Sequence, residues 1–120
     1  MIEGNVITLV AGEALPAKAR VKLSGVTLVF ADDEDHAIGV TEYAVGNGDD
    51  CACRLINAGG TFECIAAGAI TAGAAIYGAV DGEVEATGTR VVGFALQAAT
   101  ADQDIIDCIL IDNHDTDTVA

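Results

Sequence analysis

The chain has 120 residues, a formal net charge of −14 from nineteen acids against five bases, and a composition that is 52% hydrophobic but only 4% aromatic. That length suits one domain burying about two-thirds of its unfolded surface, around a core of Val, Ile, Leu and Ala. The charge argues against binding to nucleic acid or anionic headgroups, and neither a membrane-spanning apolar run nor a signal-peptide pattern is present.

Met1 to Asn5 is a polar lead. Val6 to Val10 is β-branched and forms either a first strand or an arm lent to a neighbour. Ala11 to Pro16 turns the chain into a strand over Ala17 to Leu23. Alternation there places Lys18, Arg20 and Lys22 on one face, a basic stripe that either pairs with local acids or meets an acidic partner. Ser24-Gly25 leads into a buried strand, Val26 to Phe30, ended by the acidic loop Asp32 to Asp35. That loop lacks the ligand spacing of a calcium site.

Ala37 to Val45 is a strand carrying Gly39, Gly46 to Asp49 a loop, and Cys51 to Ile56 a strand with both thiols on one side. The four cysteines lack zinc-site spacing and are expected to be reduced, buried hydrophobes. Asn57 to Gly60 marks a seam, and Thr61 to Ala66 is the next strand. Ala75 to Val80 and Glu83 to Ala86 flank Asp81-Gly82, whose two residues suit the positive φ angles of a type I′ hairpin turn. A turn at Thr87 to Thr89 precedes the strand Val91 to Leu96, where Gly93 implies a close backbone approach. After a polar loop, Ile105 to Ile111 is the last strand, with Asp107 on its exposed face, and Asp112 to Ala120 is a flexible acidic tail.

The chain repeats itself. Ala14 to Val21 lies over Ala69 to Ile76, and Ile38-Gly39-Val40 over Val92-Gly93-Phe94, a match extended without gaps through Asp50 on Asp104 to Leu55 on Ile109. The expected architecture is all-β: a small single-domain β-barrel or β-tulip-like fold built from two similar β-meander halves. The halves span about 14–56 and 69–110, within a domain over 11–111 that follows an arm at 1–10.

Catalytic machinery is not expected. His36 lies in the acidic loop and His114 in the tail, while Ser24, the only serine, has no nucleophile-elbow neighbours. There is no Gly-Lys-Ser/Thr phosphate loop, and no metal or cofactor is expected.

The run Ala66 to Tyr77, then Asp81-Gly82-Glu83-Val84, then Val91 to Leu96 before a loop and an apolar last strand, resembles the capsid cement or head-decoration proteins of tailed bacteriophages. Val6 to Ala11 and Ile38-Gly39-Val40 fit the same pattern, so the resemblance covers about residues 5 to 111. The acidic loop, the cysteines and the acidic tail depart from it. The resemblance implies a structural virion protein on the outer surface of the head, present in the host cytoplasm before assembly. Its partner would be the major capsid protein, with a homo-oligomer, trimer rather than dimer, and no membrane or direct nucleic-acid contact. Expected capsid-contact residues are Ile2, Val6, Ile7 and Leu9 of the arm and Lys18, Arg20 and Lys22 of the stripe. Alternatives are another minor virion component, or a barrel binding a small ligand or carbohydrate.

Overall fold

The computed structural model describes residues 6–32, 35–56 and 60–111. Ten strands form two five-stranded units. The first contains β1 (Val6–Ala11), β2 (Arg20–Ser24), β3 (Thr27–Phe30), β4 (Gly39–Thr41) and β5 (Asp50–Leu55). The second contains β6 (Thr61–Ile65), β7 (Ala75–Gly78), β8 (Val84–Glu85), β9 (Val91–Ala95) and β10 (Ile105–Leu110).

Strand order in the first unit is β1-β3-β2-β4-β5, and it closes into a barrel because β1 pairs antiparallel with β5 and parallel with β3. The second unit runs β6-β10-β9-β7-β8, the same neighbours in the same relation, and its two ends meet in one parallel bridge, Ala66 to Val84. Neither is a plain succession of neighbours in chain order. In each, the first strand returns to sit between the third and the fifth.

Backbone hydrogen bonds set the correspondence residue by residue. Leu15 and Val45 exchange N–H···O bonds of 3.0 and 2.9 Å, as do Ile70 and Ala99 at 2.9 and 3.0 Å. The Ala11 N–H donates to the Asp49 carbonyl, and the Ala66 N–H to that of Asp104. Asp49 thus corresponds to Asp104 and Leu55 to Leu110, one residue away from the ungapped match of the bare sequences. The shift arises at one loop. The Asp49 carboxylate accepts from the Gly46 N–H, whereas that of Asp104 accepts from both Thr100 and Ala101, so Thr100 is an extra residue in the second unit.

Each unit fills its interior from equivalent positions. Ala11, Leu15, Val21, Leu28, Cys51 and Cys53 form the first core, and Ala66, Ile70, Ile76, Val84, Ile106 and Cys108 take the same places in the second. The thiols therefore stand in for aliphatic side chains: Cys51 is placed as Ile106 is, and Cys64 as Leu9 is. Alternation explains β1, whose Val6, Thr8 and Val10 face out while Ile7 and Leu9 are half-buried against the first core. The strand expected over Ala37 to Val45 is shortened to Gly39–Thr41, since beyond Thr41 the chain leaves the ladder and returns only at the Leu15–Val45 bridge. Asp81 and Gly82 have φ of 59° and 71°, and the Glu83 N–H closes the turn on the Val80 carbonyl at 3.3 Å, as the Asp-Gly pair predicts.

Candidate functional site

The seam between the units brings apolar and charged side chains of both together. Val40 and Ile56 project from the outer face of β4–β5 and belong to the second unit's core, beside Phe62, Val92 and Leu110. Between them Arg54 lies over the Phe62 ring, 4.1 Å from its centroid, and donates to the Thr61 carbonyl. The barrel thereby covers one end of the second unit.

On the other side of the seam, Arg20 is fully buried. Its guanidinium donates to the carbonyls of Ala31 (3.1 Å), Ala79 (3.3 Å) and Glu83 (3.3 Å), with Asp32 at 3.5 Å, so one side chain ties β3 to the 79–83 hairpin. That hairpin lies tight on β2, where a Cβ on Gly82 would sit 2.6 Å from the Arg20 carbonyl. The Asp32 carboxylate accepts from the Asp81 N–H at 3.0 Å.

These contacts remove Arg20 from the basic stripe and pair Lys18 and Lys22 with acids, the first of its two readings. Lys18 is not in a strand but in the preceding turn, at φ 67°, and its ammonium is 3.3 Å from the Glu63 carboxylate across the seam. Arg20 is interior and cannot meet a capsid. Lys22 is bound to Asp35 at 2.8 Å, a hydrogen bond that raises the lysine pKa and lowers that of the carboxyl. Alternation failed as a guide for Arg20 because the 79–83 hairpin of the second unit covers the position that a single sheet would expose to water.

The arm residues also separate. Ile2 lies outside the described residues, Val6 is exposed, and Ile7 and Leu9 turn inward. Among the described residues, β1 pairs with β3 only at Val10 and Ala11, so Val6 to Leu9 has a strand neighbour on the β5 side alone. The sequence reading missed the exposed apolar face of β9–β10, Phe94, Ile109 and Ile111, with Leu96 and Ile105 alongside. Its signal was present, since Ile105 and Ile109 alternate with the buried Ile106, Cys108 and Leu110, and Phe94 stands between the buried Gly93 and Ala95.

His36 is exposed beside the seam, and His114 lies outside the described residues. The four cysteines fall into separate cores, Cys51 and Cys53 in one, Cys64 and Cys108 in the other, so they do not converge as a ligand set. Burial pushes the Cys53 thiol up to about 12 and raises Cys51, while a hydrogen bond with Cys108 and burial raise Cys64. The native protein should therefore give no fast reaction with Ellman's reagent at pH 8 and all four thiols after unfolding in guanidinium. A thiol titrating within seconds in the native state would contradict the placement. Two clefts lie open to solvent on the seam, one lined by Ala37, Ile56, Val92 and Leu110 and the other by Lys18, Arg54 and Glu63.

The family model for phage cement proteins matches residues 1–110. The chain belongs to the phage cement protein family. It is thus a structural virion protein, as the resemblance of its strands and turns implied. The fold of this cement protein is similar to that of the N-terminal base of the head fibre protein gp8.5 of bacteriophage phi29, with a TM-score of 0.76 and 17% identity over 90% of this chain and 94% of that one. No curated protein matches the sequence.

Proposed function

We propose that this cement protein decorates the outer surface of the assembled head, binding the major capsid protein as a homotrimer after a period free in the host cytoplasm, and that it performs no catalysis. The observation that carries the reading is the family match over residues 1–110, on a chain folded as a closed five-stranded barrel joined to a second five-stranded sheet. Decoration needs stiffness more than chemistry, and many copies on one lattice gain avidity from modest individual contacts. The structural neighbour's description as a head fibre protein agrees with a place on the head.

Of the capsid contacts expected from the sequence, the surroundings support the start of the chain. Met1 to Asn5 lead into Val6, beside the half-paired edge of β1, where an extended coat segment could add as a strand. Removing all of β1 would open the barrel, so the informative truncation stops at Asn5. Protein lacking Met1 to Asn5 should melt as the full chain does and lose most of its co-sedimentation with expanded heads. Wild-type occupancy by the truncated protein would remove this segment from the account. Full-length protein that labels tails and not heads in electron micrographs would replace decoration with another virion role.

A further inference from the structure

Within one chain the two units meet head to tail, and each leaves the complementary surface open. The outer face of β4–β5, through Val40, Arg54 and Ile56, covers the end of the second barrel formed by Phe62, Val92 and Leu110. The equivalent outer face on the second unit is Phe94, Ile109 and Ile111, and it covers nothing among the described residues: these side chains are 45%, 41% and 40% exposed, against 3% for Val40 and 7% for Ile56.

The equivalent end of the first barrel is Ile7, Ile38 and Leu55, all half-buried where their counterparts in the second unit are buried. The hairpins follow the same rule. The tip at Gly82 is packed on Ala19 and Arg20, whereas the matching tip at Val26 is 78% exposed, and Ala74 and Ala75, which stand where Ala19 and Arg20 do, are partly exposed. Each of these seam positions is thus more buried than its counterpart in the other unit.

The geometry points to a second copy of this chain as the occupant: the Phe94–Ile109–Ile111 face of one copy takes the Ile7–Ile38–Leu55 end and the Val26 tip of the next. The chain itself supplies the precedent for the contact, since an outer face of this fold already seats on an end of the same fold. Such a contact is heterologous, so it repeats in one direction and closes into a ring of copies when the rotation permits. It also hides apolar area that an isolated monomer would leave as a contiguous patch. Because each copy carries a formal charge of −14, association should strengthen as salt screens the repulsion. The inference rests on the homo-oligomer reading above but needs no heads to test it.

Light scattering on wild-type protein at raised ionic strength should give a multiple of 12.1 kDa, and Phe94→Asp should reduce it to one chain without changing the melting temperature. Ile38→Asp should do the same from the opposite surface. Should that half-buried substitution unfold the barrel, Val26→Asp at the exposed tip replaces it. The decisive step is mixing. Phe94→Asp retains an intact end and the partner variant an intact face, so together they should form a one-to-one pair and nothing larger. A monomeric wild type would overturn the homo-oligomer reading along with the inference. An oligomer unaffected by Phe94→Asp, one that yields to Phe94→Asp but not to changes at the opposite end, or variants that do not combine would overturn the head-to-tail contact alone.

Discussion

Alanine at Gly93 should cost the protein most of its stability. A Cβ built there would lie 1.9 Å from the Ile109 carbonyl oxygen, 2.9 Å from the Ile109 carbonyl carbon and 3.0 Å from the Leu110 Cα. All three atoms are backbone, so no rotamer change relieves the overlap. Nor can β10 withdraw, because it is paired with β9 on one side and with β6 on the other. Overpacking that side chains can absorb costs about 1–3 kcal/mol, and this case belongs at or beyond the upper end. Against a total stability of about 5–15 kcal/mol, the melting temperature should fall by about 10 °C or more. Gly39 is the same position in the first unit, 2.3 Å from the Arg54 carbonyl oxygen and 2.4 Å from the Cys53 sulfur by the same construction, and its alanine variant should behave alike. A Gly93→Ala protein melting within a degree or two of wild type would show that the pairing of β9 with β10 is looser than described.

Replacing Arg20 by methionine, which keeps much of the length and loses the donors, should be the second most damaging change. The buried carbonyls of Ala31 and Ala79 would lose the Arg20 donor, and that of Glu83 would keep only the Ala79 N–H. Each such loss costs about 1–3 kcal/mol, so a total of about 3–5 kcal/mol is expected. Lysine should rescue little, because a single ammonium cannot span acceptors that the planar guanidinium reaches from separate nitrogens. The damage should be local first. Hydrogen exchange at the Asp81 and Glu83 amides should accelerate more than at Ala11 or Leu15, since the hairpin loses its anchor while the first barrel keeps its ladder. A variant losing less than about 1 kcal/mol, with exchange unchanged at the hairpin, would refute the role of Arg20 as the tie between units.

The Arg20 result also bears on how the protein meets its surroundings. Arg20, Lys18, Lys22 and Arg54 all make contacts within the chain, to four carbonyls, to Glu63, to Asp35 and to the Phe62 ring, while the acids remain numerous. Apolar surfaces and strand edges are also open to other proteins. The exposed β9–β10 face and the half-paired edge of β1 are surfaces of that kind, and they lie on different units.

Much of this was legible from the amino-acid order. Alternation in Val6 to Ala11 and Ile105 to Leu110, the Asp81-Gly82 turn and the two strand glycines are local signals, because pleat and turn geometry act on neighbouring residues. The internal repeat was legible for the same reason, since two copies of one ladder demand apolar side chains at matching places. The register of the repeat beyond Val45 was not. It depends on which carboxylate caps a loop, and Asp49 and Asp50 look equivalent until the hydrogen bonds are drawn.

The residues of the seam escaped for a different reason. Lys18, Arg20 and Lys22 alternate like a solvated stripe, and Val40 and Phe94 occupy equivalent outward positions, yet one of each set is buried and another exposed. Strand periodicity states which side of its own sheet a residue occupies and says nothing about what lies beyond that sheet. The sequence by itself determined the strands, the turns, the family and the twofold plan of the chain. Only the tertiary structure decided which outer face is covered, because burial there comes from packing one barrel against another, a contact between residues far apart in the chain that no local pattern encodes.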